Sequence, residues 1–105
     1  MAAIILVPGT HVATIPITVV PGGDNCSVGI ILTSDSAGNT IVAQSSQTGF
    51  TSSGVMQNVA ASLSVPAGNC YVWVNVVING NPVGAFAQGN TIVGQSVAVG
   101  TVTWS

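Results

Sequence analysis

Few side chains in this chain can do chemistry. Its 105 residues include no lysine, no arginine, two acidic residues and one histidine. The groups with acid–base or ligating capacity are His11, Asp24, Asp35 and the thiols of Cys26 and Cys70. Acid–base catalysis needs a pair of titratable groups within reach of one substrate. Asp24 and Asp35 flank one predicted strand, and eleven residues of extended chain put them roughly 30 Å apart. They read as turn caps, not as a carboxylate dyad. A serine triad needs Ser, His and an acid. Serines abound, but no Gly-x-Ser-x-Gly elbow surrounds any of them. A structural zinc site takes a full tetrahedral set of Cys and His ligands, and only three such residues exist. Calcium takes about six to eight oxygens, whereas each Asp here stands alone among hydroxyls and amides. No catalytic, cofactor or metal site is expected, and the chain reads as non-enzymatic. His11 follows Pro8-Gly9-Thr10 and reads as a surface or interface residue. Asn25-Cys26-Ser27 matches a glycosylation sequon, which with Cys in the middle reads as a chance match.

The missing basic residues exclude more than catalysis. Affinity for a phosphate backbone comes from Lys and Arg, so nucleic acid is not an expected partner. Trypsin has no cleavage site, even in the unfolded chain. An ordinary domain is about a quarter charged, against 2% here, with a net charge of −2. Such a skin barely repels its own copies. One reading is a surface meant to be covered by other subunits; the other is a soluble monomer from a salty or acidic niche. No apolar run reaches the roughly 18 residues of a membrane span. The opening Met-Ala-Ala-Ile-Ile-Leu-Val-Pro lacks a basic start and is too short for a signal peptide. The chain is therefore expected to be made without a visible leader, although a leader already removed would look the same.

Elements that hold these residues follow from the spacing of apolar side chains. Hydrophobic content is 48%, enough for one core in a single domain of this length. No apolar period near 3.6 persists. Val, Ile and Thr dominate, and Gly, Pro and Asn clusters break the chain every 8–12 residues or so, the signature of an all-β sandwich or barrel. Strands are predicted over residues 12–20, 26–33, 40–44, 55–65, 70–78, 83–87 and 97–104. Alternation assigns an inward face to Cys26, Val28, Ile30 and Leu32. It assigns another to Val55, Val59, Ala61, Leu63 and Val65, interrupted by Gln57, and a third to Cys70, Val72, Val74, Val76 and Ile78. Both cysteines thus open inward faces. A Cys26–Cys70 disulfide joining two sheets across the core is expected, with two buried free thiols as the other reading.

Turn chemistry supports this division. Asn79-Gly80 signals a hairpin, and Pro21-Gly22-Gly23-Asp24-Asn25 and Asp35-Ser36-Ala37-Gly38-Asn39 signal turns. Pro16 places the first long strand at a sheet edge or at a switch between sheets. Residues 45–54 are polar, with Phe50 alone at their centre, and read as an exposed loop.

The segment Val65-Pro66-Ala67-Gly68-Asn69-Cys70-Tyr71-Val72 resembles the E–F corner of bacterial and viral immunoglobulin-like sandwiches, where a Pro-x-Gly turn precedes an x-Tyr-x-Val strand. The resemblance extends in detail over residues 65–86. It departs from antibody-type domains, because Gly68 stands where a corner tyrosine would fall and no Trp lies on the third strand. It implies an immunoglobulin-like, two-sheet antiparallel β-sandwich of about seven to eight strands. In such a domain, residues 1–10 form an N-terminal arm and residues 11–105 the sandwich.

Two features suit contact with other molecules. The outer face of the strand at 70–78 carries Tyr71, Trp73, Asn75 and Val77, and aromatics beside polar groups mark contact surfaces; the other reading is that the chain's own N-terminal arm or loops cover this face. The apolar arm at 2–7, with Ile4, Ile5 and Leu6, is set off by Pro8-Gly9. It could add a strand to a neighbour's open edge or pair within its own sandwich. Phe50 joins these as an interface candidate. The expected function is structural assembly: a virion component such as a capsid decoration or cement subunit, contacting its own copies and a larger particle. It would work on a virion surface or another extracellular assembly. Two alternatives share the physics: a cell-surface filament or adhesion module, and a carbohydrate-binding module using Tyr71 and Trp73.

Overall fold

A computed structural model describes residues 3–89, 91–92 and 97–105. Among them no helix occurs, and ten strands form two antiparallel sheets packed face to face. The strands are β1 (Gly9–Val19), β2 (Asn25–Thr33), β3 (Ile41–Gln44), β4 (Thr48–Thr51), β5 (Met56–Val65), β6 (Tyr71–Ile78), β7 (Asn81–Ala87), β8 (Thr91–Ile92), β9 (Val97–Val99) and β10 (Thr103–Trp104).

In one sheet β1 is central. β5 lies along one side of it from Gly9↔Val65 to Thr18↔Met56. The other side is shared by β10 (Ala13↔Trp104) and β9 (Ile17↔Val99), and β8 pairs with β9 beyond. In the second sheet β2 is central. β6 runs along one side from Cys26↔Ile78 to Thr33↔Tyr71, with β7 beyond it. β3 and β4 share the other side. The sandwich thus confirms the alternation, and the higher strand number has a local cause. The expected strand at 97–104 is interrupted between β9 and β10, β4 continues the line of β3 beyond a break at residues 45–47, and the two-residue β8 lies in a stretch where no strand was expected.

Pro16 explains the first interruption. It sits on the central strand of one sheet, neither at an edge nor at a switch between sheets as its type suggested. Its carbonyl accepts from Gly100 N–H at 2.8 Å, so its missing N–H also faces the β9–β10 side. There the partner strand is broken. A Cβ on Gly100 would lie 3.0 Å from Pro16 Cγ, so the ring and the bulge fit only with glycine opposite. A proline inside a sheet is tolerated at such an irregularity.

Residues 45–54 also depart from expectation. They hold β4, which pairs with β2, and Phe50 lies opposite Cys26 and packs on the core. Phe50 is therefore a core-side residue and not the tip of an exposed loop. The polar composition misled because Ser45 and Ser52 are buried hydroxyls that bond to backbone: Ile30 N–H donates to Ser45 Oγ at 2.8 Å.

The core takes Ile15, Ile17 and Val19 from β1, Val28, Ile30 and Leu32 from β2, Val59 to Val65 on alternate positions of β5, and Val72, Val74 and Val76 from β6. Val55 precedes β5 and points to solvent, unlike its predicted inward neighbours. The Asn79-Gly80 hairpin forms as expected, with both residues at positive φ (51° and 78°), as a type I′ turn requires.

Candidate interaction surface

The two cysteines stand at opposite ends of one sheet. Cys26 opens β2 opposite Ile78, while Cys70 precedes Tyr71, which lies opposite Thr33. About eight residues of strand, roughly 26 Å, separate them along the ladder, far beyond the reach of a disulfide. Both thiols are free and buried, which corrects the expected bridge. Alternation reports which face a residue takes, and it is silent on which sheet and which end of it. Burial pushes both thiols above the ordinary range. At Cys26 the nearby Asp24 charge adds to this, while hydrogen bonds from Ser52 oppose it.

The Cys26 end is closed by three turns tied together. Ser52 is buried and central. Its N–H donates to Asp24 O at 2.9 Å, and its Oγ accepts from Asp24 N–H at 2.9 Å and donates to Pro21 O at 2.8 Å. Asn79 completes the web. Its N–H donates to Asn25 O at 2.6 Å, its Oδ1 accepts from Asn25 N–H at 3.1 Å, and its Nδ2 donates to Asp24 Oδ1 at 3.2 Å. Beside this web lies a cleft of about 420 Å³ between Val19, Asp24, Ile78 and Pro82.

The Cys70 end is closed by the arm. Ile4 and Cys70 exchange both backbone bonds, at 2.8 and 2.9 Å. Ile4 and Leu6 are half-buried against the core, whereas Ile5 and Val7 are 72% and 78% exposed. The arm thus pairs within its own chain at Ile4 while keeping an apolar outer edge. Residues 1 and 2 of the expected arm lie outside the described residues. Val7 O is 2.6 Å from His11 Nε2. A carbonyl can only accept, so Nε2 carries the proton. His11 therefore pins the arm just before it turns into β1.

Asp35 sits at the opposite end of β2 from Asp24. Its carboxylate accepts from Asn39 and Thr40 N–H at 2.9–3.0 Å, and these donors hold it below the usual carboxylate range. The turn it caps carries Gly38 over Trp73. Gly38 has φ +78°, and a Cβ there would stand 3.0 Å from Trp73 Cζ2. Tyr71, Trp73 and Val77 face outward and are half-buried. Trp73 Nε1 donates to Thr33 Oγ1 at 2.9 Å. A groove of about 250 Å³ runs along it between Ile31, Gly38, Ile41 and Ala85. Ile41 and Val42 are exposed nearby, and Val20, Val55 and Met56 are exposed at the Cys26 end.

Sequence reading missed two residues here. Ser52 carries the closing web, and nothing in its surroundings distinguishes it from neighbouring serines. Trp104 packs on the core with Nε1 buried and without a partner among the described residues; its place beside β1 depends on the bulge at Gly100. No group of three or more metal-ligating side chains occurs among the described residues. The chain matches no known family model, no curated protein and no solved structure.

Proposed function

We propose that this chain is a structural assembly subunit, acting by shape through contacts with its own copies and with a larger particle, of which a virion surface is the favoured instance. The observation that carries this reading is the pairing of an almost uncharged skin with exposed apolar side chains. Ile5, Val7, Ile41, Val42, Val55 and Met56 stand in solvent, while the only charged side chains of the sequence are the two aspartates in turns. Isolated exposed apolar residues are ordinary; here they occur in short runs, and only at Ile41 does a carboxylate, that of Asp35 bonded to Thr40 N–H, stand next to one of them in the hydrogen-bond pattern. The immunoglobulin-like resemblance at 65–86 supports the same reading, since Pro66–Cys70 carries the chain from β5 in one sheet to β6 in the other. Against a sugar-binding role, the Trp73 edge lies under the Gly38 turn and its N–H is spent on Thr33, which leaves a poor stacking platform.

Sedimentation of the native chain from micromolar to millimolar concentration tests the proposal, together with imaging of native particles for bound copies. A defined oligomer or particle occupancy is expected. A strict monomer that decorates nothing overturns it.

A further inference from the structure

We propose that the arm at residues 3–8 exchanges between copies, so that the Cys70 backbone edge before β6 in one chain pairs with Ile4 of a second. The inference rests on the self-assembly reading and names its joint. The arm is a short, separable element. Besides the packing of Ile4 and Leu6 against the core, it is held by one backbone pair at Cys70 and by the His11 Nε2 bond to Val7 O. Pro8-Gly9 links it to β1, and Gly9 has φ +134° with nothing within 4 Å of the place a Cβ would occupy. Gly9 is also the first residue of the β1–β5 ladder, opposite Val65, so the arm leaves the sandwich at Pro8.

The occupant follows from the fit. The backbone of Cys70 already pairs with Ile4 of this arm, and every copy presents the same backbone edge, so the contacts made within one chain are available between two at little cost. Like-charge repulsion does not oppose the approach, because neither the arm nor residues 65–78 carry a charged side chain. Exchange also brings two sandwiches together at the ends where Ile5 and Val7 stand exposed, giving their apolar surface something to cover. A reciprocal swap closes a dimer, and a one-way swap propagates a chain of subunits.

A cross-link distinguishes the two states of the arm. Ile4 and Cys70 exchange both backbone bonds. Such a pair has Cα atoms about 5.5 Å apart, within the disulfide range of about 4.4–6.8 Å. The full-length Ile4→Cys chain, with Cys26→Ser to remove the other thiol, is oxidised with oxidised glutathione from micromolar to millimolar protein and run without reductant. Exchange predicts a covalent dimer or ladder whose share rises at least about tenfold across that range, as mass action requires. A cross-link confined to single chains at every concentration overturns the exchange. If the variant does not fold, isotope-filtered NOEs in a mixture of labelled and unlabelled native chain give the same answer. Intermolecular contacts from Ile4 to the Cys70–Val72 segment support it, and intramolecular ones alone at millimolar concentration overturn it. A native chain that sediments as an oligomer while its cross-links stay internal removes this joint and leaves the assembly reading standing. A native chain that is monomeric throughout, with internal cross-links, removes both.

Discussion

The two ends of the β2–β6 ladder carry the same residue type and are closed in different ways. At the Cys26 end, three turns from distant parts of the chain are tied by Ser52, Asp24 and Asn79. At the Cys70 end, a strap of six residues lies across the opening with one backbone pair and one histidine contact. A single hydrogen bond contributes about 0.5–1.5 kcal/mol net, so the number of bonds that must break together decides which end opens first. In the static structure the difference is hidden and even inverted, since Cys26 is 6% exposed and Cys70 only 1%. Burial measures how well a group is covered, and the number and cooperativity of the covering bonds measure how often it is uncovered.

Ser52→Ala breaks the comparison most strongly. It removes both Oγ bonds and leaves the Pro21 carbonyl and the Asp24 N–H without their partner. A loss of about 1–2 kcal/mol is expected in urea unfolding, together with faster labelling of Cys26.

Labelling of the native chain sharpens the comparison. Under native conditions Cys70 should react with a thiol reagent about tenfold faster than Cys26, because lifting the strap is a local opening and undoing the web is not. Mass spectrometry of the labelled peptides reads the ratio. Faster reaction at Cys26 would mean that static exposure governs and that the two ends are equally secure.

Ile4→Ala should cost less than about 1 kcal/mol in unfolding, as expected for trimming a half-buried side chain. It should still raise the Cys70 labelling rate severalfold. A stability loss as large as that of Ser52→Ala would make the arm part of the core.

The smallest effect concerns a turn outside both closures. Asp35 is held below the usual carboxylate range by the Asn39 and Thr40 N–H groups. A folded value lowered relative to the unfolded one adds stability above the unfolded value of about 3.9, and that stability is lost as pH falls through the folded value. Urea midpoints should therefore decline slightly below about pH 4, and Asp35→Asn should flatten this decline.

Much of the fold was legible along the chain. Cys26, Val28, Ile30 and Leu32 alternate with Ser27, Gly29 and Ile31, and Val59, Ala61, Leu63 and Val65 with Ala60, Ser62 and Ser64, and the members of both apolar sets are buried. The Asn79-Gly80 hairpin was equally clear, because its turn chemistry is local. Less was legible at the candidate surface. Trp73 and Tyr71 face outward as expected, but the strap over Cys70, the Ser52 web and the core position of Phe50 depend on contacts between segments far apart in sequence. Pro16 shows the same limit. Its missing N–H restricts its ladder, and only the bulge at Gly100 let it sit on a central strand.

By itself the sequence determined a β-sandwich with a nearly uncharged skin. The alternation of apolar residues and the absence of basic ones are properties of the chain that no packing can change. Only the tertiary structure decided that Cys26 and Cys70 share a sheet and cannot meet, and that the arm lies over one of them. The physical reason is that side-chain period selects a face, whereas strand partner, direction and register are set by long-range backbone pairing.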